Sequence, residues 1–306
     1  MIIDGVLKEI KTLDFDLQFR LIPLGILPRL KDDMDKHRFC GPAGQLIETY
    51  YMHYSFEPPQ GYQSILVVSY PQPHAQIKVE TEDDTKPDGD RTFNNITIPS
   101  GYYNPNFADH VQVEILTALE QNGISGKRAH LPLKLLGARS GLTKYGKNNI
   151  SYVKPYGSQH RLMAFYTDAE APNVIWEEEI HMDECSHCMA CVKACPYGAI
   201  KEEDGLIDPN LCLSFYMDLL DTLPPWVNKT KVNALIGCTY CQDACQMNGY
   251  FTPNTREILA TISKTQVDEI HEVDRFEDLS PSTKALVQIL GFDDSYALLK
   301  RNMGVL

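Results

Sequence analysis

The stretch that most limits what this chain can fold into is residues 185–196, CSHCMACVKACP. Cys185, Cys188, Cys191 and Cys195 stand at spacings of two, two and three residues, and Pro196 follows. Thiolates spaced this way suit a cubane 4Fe–4S cluster, whose iron corners lie close together. A tight loop with two residues between cysteines reaches three corners of one cube. The fourth cysteine, a helical turn further on, points away and serves a second cube. Pro196 ends that turn, because it has no N–H with which to continue a helix. The spacing therefore predicts two clusters and a second set of cysteines downstream.

That second set is present. Residues 238–245, CTYCQDAC, place Cys238, Cys241 and Cys245 at spacings of two and three, and Cys212 stands between the runs. Counting partners assigns Cys185, Cys188, Cys191 and Cys245 to one cube and Cys195, Cys212, Cys238 and Cys241 to the other. Structural zinc also favours paired CxxC. Three cysteines at two-residue spacing followed by x3-C-P suit it poorly. A disulfide framework fits neither the clustering of the cysteines nor the lack of a secretion signal. Cys40, the ninth cysteine, reads as a small semi-buried residue in a turn.

With 306 residues, the chain is long enough for about two domains. Its formal net charge is −13, before any cluster is counted. Such a balance disfavours loose binding to nucleic acid or anionic membrane, where lysine and arginine dominate. Nucleic acid is therefore not an expected partner. The N-terminus has no charged region leading into an apolar stretch, and no window of 18 or more apolar residues occurs. A cytoplasmic protein with no membrane partner is expected. Exposed cubanes are oxygen-labile, which points to an anaerobic or well-reduced cell.

Along the chain, residues 1–22 form a mixed helix or strand candidate. SILVVSY at 64–70 reads as a buried strand stopped by Pro71, and VETEDDTKPDGD at 79–90 as an exposed acidic loop. Val111, Ile115, Leu116 and Leu119 share a helical face that Gly123 closes. Leu131, Leu135, Leu136 and Ala138 suit a second helix, which runs into the glycine-bearing loop GLTKYGKNN at 141–149. LMAFYT at 162–167 reads as another strand. This alternation predicts an α/β layer over residues 1–175. A double-cluster module follows over 176–250. The tail, 251–306, is expected to be mostly helical, with Ser280 or Ser282 capping a helix that stops at Gly291.

An α/β half, CxxCxxCxxxCP, a lone cysteine in LCLSFYMD and then IGCTYCQDAC together resemble epoxyqueuosine reductase and the related reductive dehalogenases. LCLSFYMD is similar to that family's CISYLTIE, IGCTYCQDAC to its YGCDxCQxVC, and GLTKYGKNN to its GLGWIGKN, a loop near the corrinoid. The resemblance covers residues 60–250 approximately. It implies an α+β sandwich-like cobalamin-binding domain, then a bacterial two-cluster ferredoxin-like module. Two departures stand out. CQMN replaces CPWN, and Ala129 in RAHLP occupies the place of the family's catalytic aspartate. A helical-repeat extension that helps hold transfer RNA is also expected to be absent or short.

These departures, together with the net charge, argue against epoxyqueuosine in tRNA and for a small-molecule substrate; the resemblance itself implies only a mechanism class. Electrons would come from a reduced ferredoxin or flavodoxin-type donor, pass through two 4Fe–4S clusters and reach a bound cobalamin. Tyr103 aligns with a family tyrosine and is a candidate proton donor. His130, beside Ala129, is the other. His110, Arg139, Gly141, Lys144, Gly146, Lys147 and Asn148 are candidate cofactor-binding positions. For each a plainer role stays open: packing for Tyr103, capping for His110, turns for the glycines and solvation for the lysines. The alternative for the whole chain is a non-catalytic electron carrier, or an activator that reduces a partner's cofactor.

Overall fold

A computed structural model describes residues 2–8, 10, 13–36, 41–81, 92–172, 176–178, 180–202, 207–219 and 222–306. Cys40 and most of the expected acidic loop lie outside the described residues. The chain divides into two compact units. The first comprises Met1–Gln72, Asn106–Met189 and Ile200–Asn210; the second comprises Pro73–Pro105, Ala190–Ala199 and Leu211–Leu306. Among the described residues, no helix is long and apolar enough to cross a membrane.

The first unit is built on strand Ser64–Pro71, all eight residues of which are buried. It pairs antiparallel with Gln18–Pro23 on one side and with His160–Thr167 on the other, placing Val67 opposite both Arg20 and Ala164. Gly126–Arg128 completes a four-stranded antiparallel sheet. Successive strand side chains point to opposite faces. Leu66, Val68 and Tyr70 join Val111, Ile115 and Leu119 of helix Pro105–Gln121 in one core. Ile65 and Val67 join Leu135 and Leu136 of helix Leu133–Arg139 in the other. A sheet covered on both faces explains why this strand reads as an unbroken apolar run. The expected strands at 64–70 and 162–167 and the expected helices are present. The layering is mixed α/β, with every strand pairing in this sheet antiparallel.

The second unit has a three-stranded sheet. Ala75–Thr81 lies at its centre, antiparallel to Thr92–Ile98 and parallel to Ile258–Ile262. Its core joins Ile77, Ile98 and Ile262 to Ile270, Val287 and Leu299, from helices Lys264–Glu272, Pro281–Ile289 and Tyr296–Met303. The tail is thus helical, as expected, but it also supplies a strand. Ser280 caps Pro281–Ile289, accepting from the Thr283 N–H. Ser263 and Gln266 form a capping box at the preceding helix.

Two histidines are held neutral in these cores. His160 contacts Ser69 Oγ at 2.8 Å through Nδ1 and Ser151 O at 3.1 Å through Nε2. Burial pushes its pKa down to about 4. His74 Nδ1 accepts the Ser100 N–H at 2.9 Å, and burial pushes its pKa down to about 3. Unfolding restores the ordinary value near 6.5, so the unfolded chain binds these protons first on acidification. The stability each contributes is present above pH 6.5 and is lost as pH falls through the folded value. For His160 the loss amounts to about 3 kcal/mol. The urea midpoint is expected to hold near neutrality and to drop on acidification through about pH 4. His160→Gln should flatten part of that slope; an unchanged profile would count against the assignment.

Candidate functional site

Local backbone geometry presents the cysteines. Cys185 closes the 3-10 turn Asp183–Cys185, and the Cys188 N–H donates to its carbonyl at 3.3 Å. Cys191 lies in the short helix Ala190–Ala194, which stops before Pro196 as expected. Cys212 is the N-cap of helix Leu213–Met217, and Cys245 that of the turn Gln246–Asn248. Cys241 lies in helix Tyr240–Asp243, directly after Cys238 and Thr239. No disulfide joins the eight described cysteines.

Cys195, Cys212 and Cys238 are brought together in the second unit. Burial pushes the Cys238 thiol up to about 12, and the Cys212 and Cys195 sulfurs reinforce that shift. Cys212 is raised in the same way, by burial first and then by Cys195. Backbone N–H groups point at these sulfurs. Ala199 donates to Cys195 Sγ at 3.3 Å, Ser214 and Phe215 to Cys212, and Tyr240 to Cys238. Half-buried thiols that repel one another as thiolates, each met by peptide donors, suit a multi-iron cluster. The irons supply the compensating positive charge. Among the described residues, no three His, Cys, Asp or Glu side chains converge to hold a single metal ion.

A buried polar network backs the second cysteine run. The Thr239 hydroxyl donates to Asp243 at 2.7 Å and accepts from Asn233 Nδ2 at 3.0 Å. Arg256, whose side chain is 5% exposed, pairs with Asp243 and donates to Thr97 Oγ1 at 2.8 Å. Tyr102 donates to Asp218 at 2.5 Å, and burial pushes that carboxyl up to about 6. None of these supporting residues carries a sequence signal, because each acts through a partner distant in the chain.

The first unit holds a pocket of about 450 Å³. His53, Tyr54, Ala129, His130, Lys134 and Tyr145 are among its walls. The Ser55 N–H donates to the His130 carbonyl at 3.0 Å, which sets His53 and Tyr54 beside the 128–131 stretch. Burial holds the Tyr145 hydroxyl well above its ordinary pKa. No carboxylate is among the described lining residues. Volumes of this order suit a small molecule or one face of a flat cofactor.

The other expected positions are dispersed. Tyr103 is buried in the second unit, donating to Pro73 O at 2.5 Å, and burial pushes its pKa up to about 12. His110 is exposed on helix Pro105–Gln121, 3.9 Å from Glu114. Arg139 pairs with Asp33 at 2.9 Å and donates to Glu177 O at 2.7 Å. Asn148 is buried and donates to the Tyr152 hydroxyl at 2.9 Å. Gly141 turns the chain at φ +71°, and a Cβ at Gly146 would meet the Tyr152 ring at 2.6 Å. Lys144 is exposed. Lys147 Nζ reaches Met189 Sδ at 3.7 Å and Glu202 O at 3.3 Å, and so leans on the first cysteine run. Of the 141–149 loop, the lysines present charge while Gly146 and Asn148 hold shape. Sequence reasoning missed His53, Tyr54 and Tyr145 at the pocket; the only signal was that Tyr145 lies in the glycine loop.

Fold and site together define an iron–sulfur protein of mixed α/β fold with two 4Fe–4S clusters. Residues 184–248 match the 4Fe–4S double cluster binding domain family. The chain is similar to epoxyqueuosine reductases. It is 32% identical to that of Cyclobacterium marinum over 120 residues, an alignment covering 39% of this chain and 37% of the relative. The match thus spans little more than a third of that relative's length.

In structure, the epoxyqueuosine reductase of Streptococcus thermophilus superimposes with a TM-score of 0.62 at 17% identity, covering 99% of this chain and 79% of that one. Another epoxyqueuosine reductase, with a TM-score of 0.58 at 18% identity over 99% of this chain and 80% of its own, was solved with an epoxyqueuosine-modified tRNA stem loop. The dehalogenase side of the resemblance has only a distant match, at a TM-score of 0.36 and 15% identity.

Proposed function

We propose that this chain is an oxidoreductase that passes electrons through its two 4Fe–4S clusters to a corrinoid acting on a substrate in the first unit's pocket. The observation that carries the reading is the gathering of Cys195, Cys212 and Cys238, each sulfur met by backbone N–H groups. Two clusters in one module make a short wire, and a wire needs an acceptor at its end. A corrinoid, when bound, would supply the strongly reducing cobalt, while the protein supplies position and surroundings. Lys144 and Lys147 are the groups of the glycine loop that could meet its amide rim. The other five expected cofactor-binding positions, His110, Arg139, Gly141, Gly146 and Asn148, are not needed as direct ligands for this reading, since several of them hold the loop's shape.

The pocket's own groups set the protonation chemistry. Ala129 offers no acid, so a proton must come from a neighbour. The His130 imidazole and the Tyr54 and Tyr145 hydroxyls line the same pocket. A tyrosine kept neutral by burial is a donor that stays protonated across physiological pH. Lys134, and the lack of a carboxylate among the described lining residues, favour an anionic small molecule. Reduction from a ferredoxin or flavodoxin-type donor completes the proposed route.

Anaerobic reconstitution with cobalamin tests the reading. The loaded protein is expected to retain about one corrinoid per chain after gel filtration, with about eight irons. Intact clusters without retained corrinoid would favour the electron-carrier or activator reading instead. A second substrate reading, epoxyqueuosine in tRNA, is favoured by the relative solved with a modified stem loop. Turnover of such a stem loop by the reconstituted protein, with no small-molecule activity, would select it.

A further inference from the structure

The surface beside the second cysteine quartet differs in charge from the rest of the chain. Net charge is −13, yet the charged residues of 190–199, 211–217 and 222–242 are Lys193, Lys229 and Lys231, and the described acids at their borders, Asp218 and Asp243, are engaged by Tyr102 and Arg256. All three lysines are exposed. Among these segments stands a cluster of rings. Trp226 packs edge-on against Tyr197 at 4.9 Å and Tyr216 at 5.1 Å, and Phe215 packs on Tyr216 at 5.1 Å. The Lys231 ammonium lies 5.6 Å from the Tyr197 ring centre. Trp226 nonetheless keeps 39% of its surface exposed.

The platform is held rigid. The Asn228 N–H donates to the Tyr197 hydroxyl at 2.9 Å, and Asn228 Oδ1 accepts from the Thr230 N–H and hydroxyl, each at 3.0 Å. Lys229 Nζ donates to Gly304 O at 3.0 Å and Lys231 Nζ to Pro196 O at 3.3 Å. A preformed aromatic anchor with Lys231 over one ring and Lys229 beside its Asn228 clamp has the composition of a protein-binding hot spot, with charge to steer an acidic partner. Its rings follow the ligands in the chain. Tyr197 is two residues past Cys195, and Tyr216 four past Cys212.

We propose that this platform is the docking surface of a small acidic one-electron carrier protein. The proposal rests on the iron–sulfur reading above. The carrier would give up one electron and be oxidised by one; Cys195, Cys212, Cys238 and Cys241 would hold the 4Fe–4S cluster that accepts it, a one-electron change from 2+ to 1+. No bond or proton moves. RNA would also be drawn to lysines and rings. The position of the rings, directly after cluster ligands, favours an occupant that exchanges electrons.

Stopped-flow mixing of the reconstituted protein with a reduced acidic 2Fe–2S ferredoxin tests this, read as bleaching of the 4Fe–4S absorbance. The rate is expected to fall about tenfold between about 20 and 300 mM salt, and about tenfold in a K229E/K231E variant at low salt. Trp226→Ala should slow it as well. Reduction by dithionite, a small reductant that needs no docking surface, should be unchanged. The paired lysine variant also gives up the hydrogen bonds to Gly304 O and Pro196 O, so its iron content is measured beside its rate: wild-type iron with a slowed, salt-independent reduction assigns the loss to charge and does not depend on Trp226→Ala folding. Salt-independent reduction of the wild type, or wild-type rates in the lysine variant, would overturn the proposal while leaving the clusters in place. So would a tRNA stem loop that blocks the platform where excess ferredoxin does not compete. A preparation that takes up no iron would overturn the underlying reading as well.

Discussion

Replacing Cys238 by serine is expected to halve the iron bound by the chain, from about eight atoms to about four. Cys238 stands with Cys195 and Cys212 in a half-buried site where each sulfur is met by a peptide N–H. A cube that loses one of four thiolates there also loses the charge balance that makes burying the other three tolerable. With one ligand gone, the cluster should leave. Cys245→Ser should spare this site and perturb the cube assigned to Cys185, Cys188 and Cys191. Iron and sulfide analysis gives the count, and paramagnetic resonance of the reduced protein distinguishes the two signals. If Cys245→Ser and Cys238→Ser altered the same signal, the crossed assignment of Cys195 and Cys245 would fail.

Asn302→Ala is expected to cost about 2–3 kcal/mol and to loosen the second cluster. Asn302 is fully buried in helix Tyr296–Met303. Its amide donates to Met217 O at 3.1 Å and to Leu235 O at 2.8 Å. Those two carbonyls belong to the segments that follow Cys212 and precede Cys238. One side chain from the tail therefore ties both sides of the cluster site to the hydrophobic core. Alanine removes both donors. Met217 O keeps the Arg301 guanidinium at 3.0 Å, but Leu235 O loses its amide partner in a buried place. Urea unfolding of the loaded protein measures the cost, and iron retained after dialysis measures the loosening. A midpoint and iron content both at the wild-type level would show that the tail does not support the cluster.

Local order accounts for what was legible. The strand around Val67 and the helices around Ile115 and Leu136 announce themselves by periodicity, because burial repeats along each element. Strand Thr92–Ile98 did not, since residues 93–95 are exposed and polar or isolated. Nor did Ile258–Ile262, which pairs in parallel with a strand some 180 residues earlier and has no regular burial alternation. The candidate site shows the same division. Arg139 looked like a cofactor residue by its place before the glycine loop. Its partner is Asp33, on helix Leu27–Asp35, and nothing near residue 139 in the sequence points there. His53 and Tyr54 reach the pocket only through the Ser55–His130 hydrogen bond.

By itself, the order of residues determined the iron–sulfur chemistry of this protein. Ligand spacing over a dozen residues is set by bond lengths and turn geometry, which need no distant partner. Only the tertiary structure decided which sulfurs meet, which of the loop residues hold shape and which line the pocket, and that Asn302 of the last helix reaches the carbonyls of Met217 and Leu235. Each of those outcomes depends on groups far apart in the chain closing together. Such closure follows from the burial of two separate cores, which no short stretch of residues can specify.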